Sequence, residues 1–220
     1  MIARELRNLP DSMAALPHDS RGFPVPKFVA WIDGEPDFRV IKSGWIGKCI
    51  RENLCWLCGC KMGQRKWFVI GPMCAITRVT SEPPCHRLCA EFAVKNCPFL
   101  TKPLAKRNER GMEGMVPPAG KPIFRNPGVS CVWESERYRL FDDGEGRQLI
   151  DVGDPRGATF WREGRKASQE EVLESVRTGM RYLQAEATEK GPMAMVELVR
   201  MVEDFRRWLD RVLPAVVAQH

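Results

Sequence analysis

LCWLCGCKMGQRKWFVIGPMCAITRVTSEPPCHRLCAEFAVKNCPFL, residues 54 to 100, is the stretch on which the fold turns. It opens with Cys55-Trp56-Leu57-Cys58-Gly59, a C-x-x-C-G run, and later presents His86 and Cys89 as H-x-x-C. Two thiolates from a tight turn and a His/Cys pair at a helix start make a four-ligand Zn2+ set: Cys55, Cys58, His86 and Cys89. Gly59 suits the turn, because without a Cβ the backbone amides can approach the sulfurs. Glu82-Pro83-Pro84 is extended, whereas Cys89 to Lys95 has helix formers until Pro98 stops them. His86 and Cys89 then share one face of a first helical turn, where the helix dipole favours thiolate. Between the pairs, Lys66 to Ile70 reads as a strand ended by Gly71-Pro72. Knuckle, hairpin and helix N-terminus make a treble-clef-like module.

Other cysteines compete for the same role. Cys60, Cys85 and Cys97 lie near enough in sequence to replace a ligand, and Cys60 or Cys85 in place of His86 would give an all-thiolate site. Cys49, Cys74 and Cys131 read as small buried hydrophobes, since free cysteine is among the most buried residue types.

Upstream, residues 1 to 20 are polar, carry Pro10 and Pro17, and read as a flexible lead-in. Residues 21 to 100 form the next unit. Lys27 to Ile32 is a strand, Asp33-Gly34-Glu35-Pro36 a turn, and Asp37 to Ile41 an alternating return strand, so a β-hairpin is expected. Ser43 can cap a helix running to about Asn53, whose apolar positions Trp45, Ile46, Cys49, Ile50 and Leu54 recur at helical steps.

These residues carry a resemblance. Phe28-Val29-Ala30-Trp31 with Asp33-Gly34, Leu54-Cys55-Trp56 with Cys58-Gly59, and Pro83-Pro84 with His86, Cys89-Ala90 and Cys97-Pro98-Phe99-Leu100 resemble a group of uncharacterised zinc-binding-type proteins encoded by bacteria and their phages. It extends over roughly residues 21 to 190, including Trp161-Arg162-Glu163-Gly164-Arg165. The resemblance implies a phage, prophage or bacterial cytoplasmic setting, favours His86 over Cys85 as ligand, and implies no particular activity.

Residues 101 to 128 are rich in proline and glycine and read as a basic linker, with Lys102, Lys106, Arg107 and Arg110 as a candidate phosphate-contacting patch. Residues 129 to 220 offer strand candidates at 129–133, 137–141, 148–152 and 158–161, a small antiparallel sheet. Ser168-Gln169-Glu170-Glu171 is a capping box, opening a helix with Val172, Val176, Met180 and Leu183 inward. Gly191-Pro192 separates it from a last helix with Met195, Val199, Val202, Phe205, Leu209 and Val212 on one side. The fold class is therefore α+β: an N-terminal hairpin, helix and zinc module, then a small sheet with a helical hairpin, which could also form a homodimer face.

At 220 residues the chain can bury a core without disulfides. No apolar run suits a signal peptide or a membrane span, so the nine cysteines point to a reduced, cytoplasmic protein that binds metal. The net charge of +6 permits a nucleic-acid partner without requiring one. An HNH-like nuclease needs a histidine base beside further metal ligands, yet the chain has three histidines: His18, His86 and His220. Phosphate loops, nucleophile elbows and the H-x-E deaminase signature are all lacking. The expectation is a non-enzymatic protein with structural zinc that binds another macromolecule, first a protein, alternatively a nucleic acid through Lys102, Lys106, Arg107 and Arg110. Trp56 and Trp67 would then be stacking faces.

Overall fold

A computed structural model describes residues 6, 8–103, 105–112, 118–121, 123 and 126–214. Part of the linker expected at 101–128, and His220, lie outside the described residues. The chain begins with a short helix, α1 (Asp11–Ala14), then a hairpin of β1 (Val29–Ile32) and β2 (Glu35–Ile41). Asp33 and Gly34 at its tip have φ of 50° and 82°, the paired left-handed conformation that matches strand twist. Helix α2 (Trp45–Glu52) follows; its N-cap is Gly44, and no side chain caps it, so Ser43 does not serve as expected. Next come β3 (Lys66–Ile70), α3 (Pro72–Thr77), β4 (Val79–Thr80) and α4 (Arg87–Asn96). The C-terminal half supplies β5 (Ser130–Ser135), β6 (Arg139–Asp142), β7 (Gln148–Asp151), β8 (Pro155–Arg162), β9 (Arg165–Lys166), α5 (Gln169–Lys190) and α6 (Pro192–Val212).

The two halves share their sheets. The larger sheet runs β3-β5-β8-β9, antiparallel throughout, with Phe68 opposite Trp133 and Trp133 opposite Ala158. The smaller runs β4-β7-β6, with Val79 opposite Asp151. The small antiparallel pairing expected within residues 129 to 220 forms, and strands from the cysteine-rich stretch extend it into both sheets. The reason lies in β5: all its residues but Glu134 are buried, so it must be covered on both faces and paired on both edges.

Side chains alternate across a strand, and the larger sheet therefore divides two cores. Cys131 and Trp133 join Phe68, Ile70 and Phe160 in the core beneath α3, α5 and α6. Val132 and Trp161 join the opposite core, which contains Trp45, Trp56, Phe92 and the cysteines 55, 58, 85 and 89. Met13 and Leu16 are buried in that same core. The lead-in is corrected on this point: an apolar pair three residues apart docks residues 11–16 against the cysteine-rich stretch.

The capping box forms as expected, Ser168 Oγ accepting from Glu171 N–H at 3.3 Å and Glu171 accepting from Ser168 N–H at 3.0 Å. Val172 and Val176 are buried residues of α5, while its Gly179 makes room for Met73 of α3, whose Sδ would lie 2.8 Å from an added Cβ. Helix α6 is rotated from its expected face. Leu198, Phe205 and Leu209 are its buried residues, and Val199 and Val212 are exposed. Trp208 explains the rotation, since its ring packs 5.2 Å from Trp133 and 5.7 Å from Phe205. No described helix is long and apolar enough to cross a membrane.

Candidate metal centre

The first two candidate ligands, Cys55 and Cys58, come from a tight turn between α2 and β3. Cys55 N–H donates to the Cys60 carbonyl at 2.8 Å, and Gly59 N–H to the Cys55 carbonyl at 2.9 Å. Gly59 has φ of 77°, and a Cβ there would meet Lys27 at 2.9 Å, so the turn requires glycine for both conformation and space. The other two candidates, His86 and Cys89, come from the segment entering α4. Cys85 exchanges backbone hydrogen bonds with Trp67 of β3, at 2.7 and 3.1 Å, and the Pro84 carbonyl accepts from Trp56 N–H at 2.9 Å. These bonds fix His86 as the N-cap of α4 and set Cys89 in its first turn.

The ligand atoms of Cys55, Cys58, His86 and Cys89 all lie within 4.8 Å of one another. A tetrahedral ion with metal–sulfur bonds of about 2.3 Å places its ligands about 3.8 Å apart, so this donor set can close on a metal ion with little movement. Cys58 Sγ is 3.3 Å and Cys89 Sγ 3.9 Å from His86 Nδ1. His86 Nε2 lies 2.9 Å from the Lys61 carbonyl, an acceptor only. The proton therefore sits on Nε2 and the Nδ1 lone pair faces the sulfurs, the outer-shell pattern of metal-binding imidazole.

Hydrogen bonds also favour sulfur in its thiolate form. The N–H groups of Cys58 and His86 lie 3.5 and 3.4 Å from Cys55 Sγ. The Cys58 and Cys89 thiols beside Cys55, together with these amides, pull its thiol down. The same sulfur contacts, first with Cys55 and then with Cys58, push Cys89 upward. Sulfurs this close disfavour one another's charge, and a dication at the centre would let all of them ionise. Ser12 Oγ, 3.4 Å from Cys89 Sγ, can add a donor from α1. No sequence pattern links Ser12 to Cys89, 77 residues away.

The competing cysteines are not part of the four-residue cluster, although the Cys60 thiol lies beside Cys58. Cys60 is exposed, Cys85 turns its thiol to the Trp67 carbonyl at 3.2 Å, and Cys97 follows α4 as its C-cap. Cys49 and Cys131 are buried core residues, and burial pushes the Cys49 thiol up to about 12. Cys74 is half-buried, its thiol likewise pushed up to about 11.

The basic residues do not converge on the metal cluster. Lys102, Lys106 and Arg110 are exposed, but the Arg107 guanidinium donates to the Arg39 carbonyl. Arg39 in turn donates to the carbonyls of Asn108 and Arg110, at 3.0 and 2.8 Å. This segment braces the β1–β2 hairpin. Trp56 is closed as a stacking platform: it is buried and its ring stacks on Phe28 at 4.6 Å. No family model, curated protein or solved structure matches the chain.

Proposed function

We propose that the four-residue cluster holds a structural zinc ion and that the chain acts by binding another macromolecule, a protein, rather than by catalysis. The observation that carries this reading is the closed donor set inside a core: Cys55 and Cys89 are fully buried, and four protein ligands satisfy tetrahedral zinc. Catalytic zinc keeps one position for water or substrate. The knuckle, β3 and the start of α4 fit a treble-clef-type arrangement, in which metal replaces part of a core too small to hold itself.

Apolar side chains left at the surface support a protein partner. Trp31, Ile32 and Phe38 on the β1–β2 hairpin are 50%, 38% and 37% exposed, and Met193, Val196 and Val199 on α6 are 79%, 64% and 53% exposed. Apolar rows of this kind mark interaction sites when they cluster. The resemblance to proteins of bacteria and their phages suggests a cytoplasmic setting with a host or viral protein as partner, in host defence or takeover.

The nucleic-acid reading retains Lys102 and Lys106 but loses Arg107 to the hairpin brace. Native mass spectrometry of protein purified without added metal tests the proposal. One zinc per chain with a protein attached is the expected spectrum. Absence of zinc, or copurifying nucleic acid in place of protein, would overturn it.

A further inference from the structure

Three cations gather round one carboxylate where α4 lies against β8 and β9. Arg87, Glu91 and Lys95 follow one another at four-residue steps and so share one stripe of α4. Glu91 accepts from Arg87 Nε at 2.9 Å and stands 3.9 Å from Lys95 Nζ. Lys166 of β9 is the third cation, and in the strand register it sits opposite Trp161 of β8.

The Trp161 indole draws these groups together. Lys166 Nζ lies 3.9 Å and Lys95 Nζ 5.1 Å from the centre of its ring, so the two ammonium groups are within about 9 Å of each other. The ring attracts each of them, yet they repel one another. Burial pushes the Lys166 amine below its ordinary value; Glu91 supports its charge, and Lys95 and Arg87 oppose it. Other carboxylates nearby are engaged: Glu134 faces Arg65 at 3.5 Å, and Glu171 is taken by Arg165 and Arg162 at 2.6 and 3.4 Å. Glu91 alone serves Arg87, Lys95 and Lys166, three positive charges against one negative.

The cations are also fixed in place. Lys95 keeps 19% of its side-chain surface exposed, and its carbonyl packs so closely on Gly164 that an added Cβ there would stand 2.9 Å away. Trp161 is buried, with its indole N–H donating to Thr159 Oγ1 at 2.8 Å. A ligand that meets groups held in this way pays little to order them. Arg87 is the outermost, with 67% of its side chain exposed.

An excess of two positive charges suits a dianion. A phosphate monoester carries about −1.5 to −2 at neutral pH and offers three acceptor oxygens, one for each cation. A nucleic-acid backbone carries one charge per phosphate and is bound along a row of cations, which Glu91 and Glu134 interrupt here. We infer that Arg87, Lys95 and Lys166 form a subsite for a phosphoryl dianion, borne by a free small molecule or by a phosphorylated side chain. This goes beyond the protein-binding reading and stands without it.

Proton–nitrogen spectra of the full chain test it, in titrations with inorganic phosphate and, separately, with an alanine-rich peptide holding one central phosphoserine. The Trp161 indole N–H should shift saturably. Tighter binding of the phosphopeptide assigns the group to a protein side chain, and equal or tighter binding of inorganic phosphate assigns it to a small molecule. Lys166→Gln should weaken binding about tenfold, as loss of a charge-assisted hydrogen bond does. Arg87→Gln gives a second weakening variant at a more exposed position. Glu91→Gln removes the competing carboxylate and should strengthen binding about threefold. Lys190→Gln makes the same charge change as Lys166→Gln at the far end of α5, about 30 Å away, and should bind like the unmodified chain. Circular dichroism and metal content should be unchanged throughout. No saturable shift with either probe, equal binding by Lys166→Gln and Arg87→Gln, or no gain in Glu91→Gln would each overturn the subsite. A single-stranded oligonucleotide that outcompetes both probes would overturn it too, by making the cluster part of a phosphodiester track.

Discussion

His86 donates from Nε2 to the Lys61 carbonyl at 2.9 Å, and this single bond aims Nδ1 at Cys58 and Cys89. The acceptor is a main-chain atom, so the Lys61 side chain is not part of the arrangement. Lys61→Ala should leave metal affinity within a factor of two or so, whereas loss of an orienting partner typically costs about 10- to 100-fold. Long-range proton–nitrogen spectra of His86 should show a protonated Nε2 and a metal-bound Nδ1. The opposite tautomer would reject the assignment.

Metal removal should unfold the core that surrounds the cluster. Structural zinc contributes about 10–16 kcal/mol to folding in small zinc modules at neutral pH, more than the total stability of most domains. Cys55→Ser or Cys89→Ser should therefore aggregate or melt far below the unmodified protein, and a strong chelator should do the same. A Cys55→Ser protein that stays folded with one equivalent of metal would contradict the ligand set. Cys60→Ser, at an exposed thiol outside the cluster, should change nothing.

What the sequence disclosed here, and what it did not, follows from the range of each interaction. The clustering of Cys55, Cys58, His86 and Cys89 was legible because short spacings, C-x-x-C and H-x-x-C, mark both ends of the stretch. Strand β3 was legible because Gly71-Pro72 ends a run of β formers. Its partner was not: pairing of Lys66 with Ser135 spans a sequence separation that no local pattern records. Helix α3 was missed because Pro72 reads as a breaker, although proline is well suited to the first helical position it occupies. The face of α6 was misjudged because Trp208 and Leu198, which set it, were left out of the apolar stripe.

Acid should weaken the start of α5. Glu171 is held down to about 2, first by the Arg165 guanidinium and also by the Ser168 N–H and Arg162. Its folded value lies below the ordinary carboxylate value of 4.5, so the stabilisation is present above that pH and is lost as pH falls from there toward 2. Replacing the cap, Ser168→Ala, should cost about 1 kcal/mol at neutral pH. Glu171→Gln should flatten the acid limb of a denaturant-midpoint profile between these values. An unchanged limb would show that other carboxylates govern it.

Two turn glycines with the same backbone conformation should respond differently to alanine. Gly34 and Gly164 have φ of 82° and 76°, and both would suffer the left-handed penalty of about 1–2 kcal/mol. Around Gly34 there is open space, whereas a Cβ at Gly164 would stand 2.9 Å from the Lys95 carbonyl at the end of α4. Gly164→Ala should thus destabilise more than Gly34→Ala, by 1 kcal/mol or more, since overpacking adds about 1–3 kcal/mol. Equal losses in urea unfolding would mean that the β8–β9 turn does not pack on α4.

The rotated face of α6 gives the sharpest packing test, because neighbouring residues should behave in opposite ways. Leu198 is 4% exposed and belongs to the buried side of the helix, whereas Val199 is 53% exposed and touches little. Leu198→Ala removes buried methyl groups and leaves a cavity, at a cost of about 2–5 kcal/mol. Val199→Ala should stay within about 0.5 kcal/mol, as surface changes do, with the better helix propensity of alanine offsetting lost contact. Equilibrium urea unfolding of both variants, with metal content held equal, reads the difference directly. A large loss at Val199 and a small one at Leu198 would restore the face drawn through Met195, Val199 and Val212.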